Sequence, residues 1–75
     1  MGEPSRPWQP MTREQFRELQ HGDQVQDRYG RVWTLRAAAY LDASTGEYRA
    51  VLIAGEVVLV ERERVHDSYM LVGAA

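Results

Sequence analysis

The chain has 75 residues, no cysteine and a formal net charge of −2, which indicates one small domain near the lower size limit for a self-sufficient hydrophobic core. These values exclude a disulfide framework and a thiolate site, and they disfavour nucleic-acid binding, a class that usually carries a basic face. The longest apolar run is about half a membrane span and no signal peptide opens the chain, so we expect a cytoplasmic protein with no membrane partner.

All nine basic residues are arginine, and the chain contains neither lysine nor asparagine. Lysine and asparagine need AT-rich codons, so this composition indicates a GC-rich genome. Selection for the bidentate pairing of arginine is the physical alternative, but the arginines are scattered along the chain rather than clustered. We therefore expect a protein from the cytoplasm of a high-GC bacterium, encoded by the bacterium or by one of its phages.

Residues 1–11 are predicted to form an extended arm. The three prolines of the protein lie here, at Pro4, Pro7 and Pro10, and a spacing of three matches the polyproline II repeat. Such an arm can dock in an aromatic groove, but its composition favours a disordered leader. Trp8 is the exception, because an indole is costly to leave in water, and we expect it to pack on the domain or on a partner.

A short helix is predicted over residues 12–20. Thr12 is a good N-cap and Gln15, three residues later, completes a capping-box pattern. Gly22 is expected to end the helix with a positive φ. The residues that would face the core are Met11, Phe16 and Leu19.

Five strands are predicted, over about residues 23–29, 31–41, 48–54, 57–63 and 68–72, separated by glycine-containing turns. In the second strand, an alternation of period two puts Trp33 and Leu35 on one face. The three consecutive alanines of this strand indicate a place where another backbone crosses closely. Residues 73–75 are expected to form a frayed tail.

This order of elements predicts a single mainly β domain over residues 12–72, with one short N-terminal helix and five strands in a small closed or nearly closed barrel. Closure is how so short a β chain removes its exposed edges. The apolar segment 51–60 is expected at the centre of the sheet. The alternating charges of residues 61–64 indicate a solvated strand end or edge.

The segment from Gly22 to Thr34 reads Gly-Asp-Gln-Val-Gln-Asp-Arg-Tyr-Gly-Arg-Val-Trp-Thr. It resembles the opening hairpin of small SH3-like barrels, of a kind found in short proteins of actinobacteria and their phages, and the resemblance covers about residues 19–41. The resemblance implies that Gly22 and Gly30 form turns while Val25 and Trp33 pack. It implies no functional residue and no proline-peptide binding, because the aromatic ligand groove of eukaryotic SH3 domains is not recognisable.

No pattern in the chain indicates catalysis. His66 stands next to Asp67, but neighbours on a strand point to opposite sides and no nucleophile accompanies them. His21 and His66 are the two histidines, and their separation does not suggest a metal site. We therefore predict a protein that is not an enzyme and that needs no cofactor or metal.

The first functional hypothesis is a non-catalytic protein-interaction module, such as a small accessory or structural protein of a phage or prophage. Aromatic residues and arginine dominate the energetics of interfaces, and Trp33 is expected in the core. The candidate partner-binding residues are Arg6, Trp8 and Tyr48. Exposed edge strands also make a homo-oligomer possible.

The alternative is a small-barrel protein that binds nucleic acid. Such barrels hold single strands through aromatic platforms beside a positive groove. The residues that would form this face are Arg28, Tyr29, Arg31, Arg36, Tyr40 and Arg49. The same arginines are ordinary partners for the acidic residues of a solvated sheet.

Overall fold

The computed structural model describes residues 8–73. This part of the chain is mainly β, as predicted, and its elements are α1 (Arg13–Arg17), β1 (Gln24–Asp27), β2 (Val32–Leu35), β3 (Tyr40–Asp42), β4 (Glu47–Ala54), β5 (Val57–Arg62), a 3₁₀ segment (Glu63–Ser68) and β6 (Tyr69–Gly73). The predicted arm is described from Trp8 onward, and the predicted tail only at Gly73.

The short helix α1 begins as the sequence predicts. Thr12 Oγ1 accepts a hydrogen bond from Gln15 N–H at 3.1 Å, and Gln15 Oε1 accepts one from Thr12 N–H at 2.9 Å. The predicted capping box is therefore confirmed. The helix ends at Arg17 rather than at residue 20, so the predicted C-terminal boundary is wrong.

The early end of α1 has a cause in the turn that follows it. Asp23 Oδ2 accepts a hydrogen bond from Gln20 N–H at 2.8 Å. Gly22, with the predicted positive φ of 88°, donates from its N–H to the carbonyl of Leu35 at 3.0 Å. The chain leaves the helix because these bonds attach it to the end of β2, and a left-handed glycine makes the turn possible.

The longest strand, β4, is the centre of an antiparallel sheet. One edge of β4 pairs with β5, from Arg49↔Arg62 to Ala54↔Val57. The other edge pairs with β3 and then with β2. Beyond β2 lie β1 and β6, which gives the order β3-β4-β2-β1-β6 with β5 on β4. The β1–β6 ladder carries a register shift next to Val25.

The predicted strand over residues 31–41 is wrong as a single element, because the chain breaks it into β2 and β3. Between them, Arg36 N–H donates to the carbonyl of Val51 at 2.9 Å, and Ala39 N–H donates to the carbonyl of Leu19 at 2.9 Å. Ala39 thus lies where the segment after α1 approaches the backbone between β2 and β3, while Ala37 and Ala38 are exposed. The prediction that small residues mark a close backbone crossing is confirmed.

The sheet has six strands among the described residues, and it is not closed into a barrel. Within residues 8–73 no ladder joins β5 to β6, and the 3₁₀ segment connects them instead. The predicted closed or nearly closed barrel of five strands is therefore not confirmed. The sixth strand arises from the break in the predicted second strand, and no strand of the described part of the chain pairs with the outer edge of β5.

The core lies between α1 and the inner face of the sheet. Trp33 and Leu35 alternate with the more exposed Val32 and Thr34, which confirms the predicted faces of β2. The buried apolar side chains are Met11, Phe16, Leu19, Val25, Trp33, Leu35, Ala50, Leu52 and Tyr69. The predicted core face of the helix is confirmed by the same set.

Glu63 corrects the prediction for the charged run 61–64. Its side chain is 1% exposed and lies at the start of the 3₁₀ segment, not on a solvated strand end. Its carboxylate accepts hydrogen bonds from Tyr48 N–H at 2.6 Å and from Arg17 Nε at 2.9 Å, while Arg13 Nη1 lies 3.1 Å away. A single buried carboxylate therefore connects α1, β4 and the 3₁₀ segment.

Candidate functional site

The candidate site is a groove of about 480 Å³ at the end of the sheet. We name it the β1–β2 groove, because the turn between these strands forms one wall and the end of the 3₁₀ segment forms the other. Its lining residues are Asp27, Arg28, Tyr29, Asp67, Ser68 and Tyr69. A second concavity of about 370 Å³ is lined by Arg28 together with Trp8. The shared arginine joins the two into one surface.

Asp27 organises the turn that presents the groove. Its Oδ1 accepts hydrogen bonds from the N–H groups of Tyr29 at 2.9 Å and Arg31 at 3.0 Å, and its Oδ2 accepts one from Trp33 Nε1 at 3.1 Å. Gly30 completes the turn with a φ of 88°, which a residue with a Cβ rarely adopts. The turn is therefore tied to the core through the buried indole of Trp33.

The turn leaves its tip in water. The side chain of Tyr29 is 97% exposed, although its backbone is fixed by Asp27. A large aromatic group in this position buries nothing within the described residues. It loses little conformational entropy when it binds, because a tyrosine has two side-chain torsions and its backbone is already ordered.

Arg28 connects the three segments that form the surface. Its guanidinium lies 5.8 Å from the centroid of the Trp8 ring, within the range of a cation–π contact. Its Nη2 donates to the carbonyl of Asp67 at 3.4 Å. Trp8 is half-buried, and its Nε1 is enclosed without a hydrogen-bond partner among the described residues. The expectation that Trp8 packs on the domain is confirmed.

Tyr69 forms the apolar floor of the groove, and both its ring and its hydroxyl are held in place. The ring of Tyr69 is buried, and its hydroxyl donates to the carboxylate of Glu61. Burial raises the pKa of Tyr69, and the hydrogen bond to Glu61 raises it further. The hydroxyl therefore stays protonated and keeps donating to Glu61 across the working range of pH.

His66 has a structural part in this region. Its Nδ1 lies 2.7 Å from the carbonyl of Met11, and Met11 N–H donates to the carbonyl of Tyr69 at 2.8 Å. The imidazole thus donates from Nδ1 and attaches the segment after Trp8 to the end of the 3₁₀ segment. This contact agrees with the interpretation of His66 as a turn residue.

The structure brings together residues that the two functional hypotheses had kept apart. Trp8, from the protein-binding set, lies against Arg28, from the nucleic-acid set, and Arg28 lines the groove together with Tyr29. Tyr48 lies elsewhere, with its ring 5.1 Å from the Arg17 guanidinium beside α1. Arg6 lies outside the described residues. Of the predicted partner-binding residues, Trp8 therefore belongs to the groove and Tyr48 does not.

The predicted nucleic-acid face is divided into two groups. The first group lies at the turn before β2 and contains Arg28, Tyr29 and Arg31. The second group follows β2 and contains Arg36, Tyr40 and Arg49. The four residues of β2 separate the groups by roughly 15 Å. In the second group Tyr40 lies opposite Arg49, whose Nε is 2.7 Å from the Asp42 carboxylate. No continuous basic surface joins the six residues.

Asp67, Ser68 and Tyr69 were not predicted as part of a site. The bond between Arg28 and Asp67 spans 39 positions, and no local pattern connects residues so far apart. The one available signal was the Asp-x-x-Gly turn at Asp27, which predicts an exposed tip at Tyr29 but not what lies across from it.

Four carboxyl groups have pKa values below their ordinary values of 3.8 for aspartate and 4.5 for glutamate: Asp27, Asp42, Glu47 and Glu63. For Glu63, the N–H of Tyr48 lowers the pKa most, burial opposes it, and Arg17 and Arg13 lower it further. For Asp27, burial raises the pKa, but the bonds from Trp33, Arg31 and Tyr29 outweigh this effect.

These shifts predict that acid destabilises the protein. A carboxyl with a lower pKa in the folded state stabilises the fold above its unfolded pKa, and this contribution is lost as the pH falls through the folded pKa. We expect the melting temperature to change little between pH 7 and about pH 5, and to fall below about pH 4.5. Thermal unfolding followed by circular dichroism checks this, and a melting temperature that stays constant down to pH 3 would contradict it.

The described residues contain no group of three or more His, Cys, Asp or Glu side chains arranged to hold a metal ion. Within residues 8–73 no helix is long and apolar enough to cross a bilayer. The side chains available for binding at the β1–β2 groove are Arg28, the exposed ring of Tyr29 and the half-buried ring of Trp8, with Asp27 and Asp67 on either side of Arg28.

Comparison of the chain with protein-family models, with curated proteins and with solved structures finds no match.

Proposed function

We propose that this protein is a non-catalytic protein-interaction module that binds a partner protein at the β1–β2 groove. The observation that carries the proposal is the almost complete exposure of Tyr29 on a turn whose backbone is held by Asp27. An ordered aromatic residue beside an arginine is the composition of an interface hot spot. The wall formed by the 3₁₀ segment adds a concave surface around it.

Charge supports a protein partner over nucleic acid. The groove presents Arg28 between Asp27 and Asp67, so the local charge is mixed. A phosphate backbone needs several neighbouring cations without carboxylates among them. A partner that offers a carboxylate to Arg28 and an apolar surface to Tyr29 and Trp8 fits the mixed charge better.

The proposal extends to the origin and relationship of the chain. Its arginine-only basic composition supports a source in a high-GC bacterium or phage, where it would serve as a small accessory or structural protein in the cytoplasm. We also propose a relationship to small SH3-like barrels. The hairpin from Gly22 to Thr34 supports it, as does the pairing of the last strand β6 with the first strand β1.

The experiment is capture of partners by the tagged full-length protein from a high-GC actinobacterial lysate, with and without nuclease. We expect a stoichiometric protein band that survives nuclease. Replacing both Arg28 and Tyr29 with alanine should reduce capture at least tenfold, since both hot-spot side chains are lost. Tyr40→Ala is the matched control, because Tyr40 is also an exposed tyrosine (45%) but lies on β3.

Circular dichroism melts establish that each variant is folded. Equal capture by the double variant and the wild type would place the binding surface elsewhere and overturn the proposal. Capture that disappears with nuclease would favour the nucleic-acid alternative. In that case, binding should weaken steeply as the salt concentration rises.

A further inference from the structure

The edge of the sheet opposite β3 is formed by β5 (Val57–Arg62), which among residues 8–73 pairs with β4 alone. Three of its valines are about half exposed: Val57 at 47%, Val58 at 55% and Val60 at 47%. A long apolar edge strand without proline or lysine presents unpaired backbone groups to another strand. Such an edge needs either a cover or a partner.

The backbone of β5 is oriented for pairing. A two-residue loop joins β4 to β5, and the ladder starts at Ala54↔Val57. Hydrogen-bonded and non-hydrogen-bonded pairs alternate along an antiparallel ladder. We therefore expect the N–H and C=O groups of Val58 and Val60 to point away from β4, toward the free edge.

The side chains of β5 are self-complementary in one register. If two copies pair antiparallel about a twofold axis at Leu59, then Val58 lies opposite Val60 of the partner subunit on the outer face. Glu56, the turn residue immediately before β5, comes opposite Arg62 of the partner subunit. The twofold axis repeats each pair, so this one register matches both valines and both charges.

The two charged residues of these pairs, Glu56 in the β4–β5 turn and Arg62 at the end of β5, are both exposed. Within residues 8–73 neither side chain forms a hydrogen bond or a close ion pair, although the charge of Arg62 helps to lower the pKa of Glu47. Within the protomer Arg62 lies opposite Arg49, which is already paired with Asp42. On the inner face the register places Val57 opposite Glu61 of the partner subunit.

Other registers fit less well. Moving the axis to Val60 places Arg62 opposite Val58 of the partner subunit and leaves Glu56 without a partner. Moving it to Glu61 places two carboxylates opposite each other, which is destabilising. Charge and apolar pattern together thus select the axis at Leu59.

From these observations we propose that the protein forms a symmetric homodimer by antiparallel pairing of two β5 strands about Leu59. The two sheets become one continuous sheet, and the outer valines of both copies form a shared apolar strip. A six-residue strand gives an interface at the small end of specific contacts, so we expect a weak dimer with a dissociation constant of roughly 10–500 μM. The surface is separate from the β1–β2 groove.

The test is sedimentation velocity of the full chain from about 10 μM to 1 mM, a range that brackets the expected dissociation constant. We expect the mass to rise from 8.6 kDa toward twice that value. Glu56→Arg and Arg62→Glu should each weaken association at least tenfold, because each places like charges opposite each other. The double variant E56R/R62E exchanges the charges and should restore the wild-type dissociation constant within about threefold.

A second pair of variants tests the edge itself. Val58→Lys should abolish association, whereas Val32→Lys should not, because Val32 is similarly exposed (43%) but lies on β2, between β1 and β4. Amide exchange of Val58 and Val60 should slow as the protein concentration rises. Circular dichroism confirms that each variant folds.

Three results would overturn the proposal: a monomer at 1 mM, charge-reversed single variants that associate like the wild type, or a double variant no better than the single ones. An extended peptide from another protein is the competing occupant of this edge. It would give a monomer in the sedimentation experiment, and therefore counts against the homodimer.

Discussion

Replacing Glu63 with alanine is expected to lower the free energy of unfolding by about 2–4 kcal/mol. The carboxylate is buried and accepts hydrogen bonds from Tyr48 N–H, Arg17 and Arg13. Its loss leaves the N–H of Tyr48 without its acceptor and removes the carboxylate that pairs with both arginines. The side chains of Arg13 and Arg17 are 51% and 46% exposed, so water hydrates them and limits the loss.

Urea unfolding followed by tryptophan fluorescence measures this effect. Glu63→Gln is expected to fall between alanine and the wild type, because the amide oxygen still accepts from Tyr48 N–H. Arg64→Ala is the matched control, since it breaks the exposed pair with Glu47 and surface pairs contribute little. If Glu63→Ala and Arg64→Ala unfold at the same urea concentration, then Glu63 does not connect α1 to the sheet.

Replacing Asp27 with alanine is expected to destabilise the fold by about 2–3 kcal/mol and to disorder the turn that presents Tyr29. Three hydrogen bonds are lost, from Tyr29 N–H, Arg31 N–H and Trp33 Nε1. The two turn N–H groups can reach water. The indole N–H is attached to a buried ring and has no other acceptor in the described part of the chain, so it contributes most of the loss.

Asp27→Asn separates these contributions. Its amide oxygen can accept from the turn N–H groups, but its amide nitrogen would meet the indole N–H of Trp33, a donor facing a donor. The asparagine variant should therefore keep the turn and lose only the indole bond. Amide exchange at Tyr29 and Arg31 reports the turn, and a blue- or red-shift of tryptophan emission reports Trp33. Unchanged amide exchange in Asp27→Ala would show that the turn does not depend on this carboxylate.

Substitutions of Glu63 and of Asp27 affect different parts of the structure. Glu63 holds helix, strand and 3₁₀ segment together, so its loss affects the whole fold. Asp27 holds the turn of the candidate site, so its loss should reduce partner capture more than its effect on stability predicts. Comparing capture by Asp27→Ala, which loses the turn, with capture by the Arg28/Tyr29 double variant, which loses the side chains, thus separates the position of the hot spot from its side chains.

Local patterns account for much of the fold. The capping box at Thr12, the glycine turns and the alternation of Trp33 and Leu35 depend on neighbours within a few positions, and the structure confirms each. The same kind of reasoning failed where distant residues compete for the chain. The predicted second strand breaks because Ala39 bonds to Leu19, and the predicted charged strand end folds inward because Glu63 meets Arg13 and Arg17.

The candidate site was predicted in fragments for the same reason. Trp8 was expected to pack on the domain and Tyr29 to lie on an accessible face, but nothing in the order of residues joined them. The contacts that assemble the groove span 39 positions, between Arg28 and Asp67, and 55 positions, between Met11 and His66. Contacts between residues so far apart produce no periodic pattern in the sequence from which they could be predicted.

By itself, then, the sequence determined the class of fold, the start of the helix, the glycine turns, the inner face of β2 and the acidic, cysteine-free composition. Periodicity and turn chemistry are local, and hydrophobic burial selects the face that they define. The tertiary structure alone decided the six-stranded open sheet, the burial of Glu63, the free edge of β5 and the meeting of Trp8, Arg28 and Asp67. These features depend on which distant groups satisfy each other once water is excluded, and that choice is made only when the chain packs.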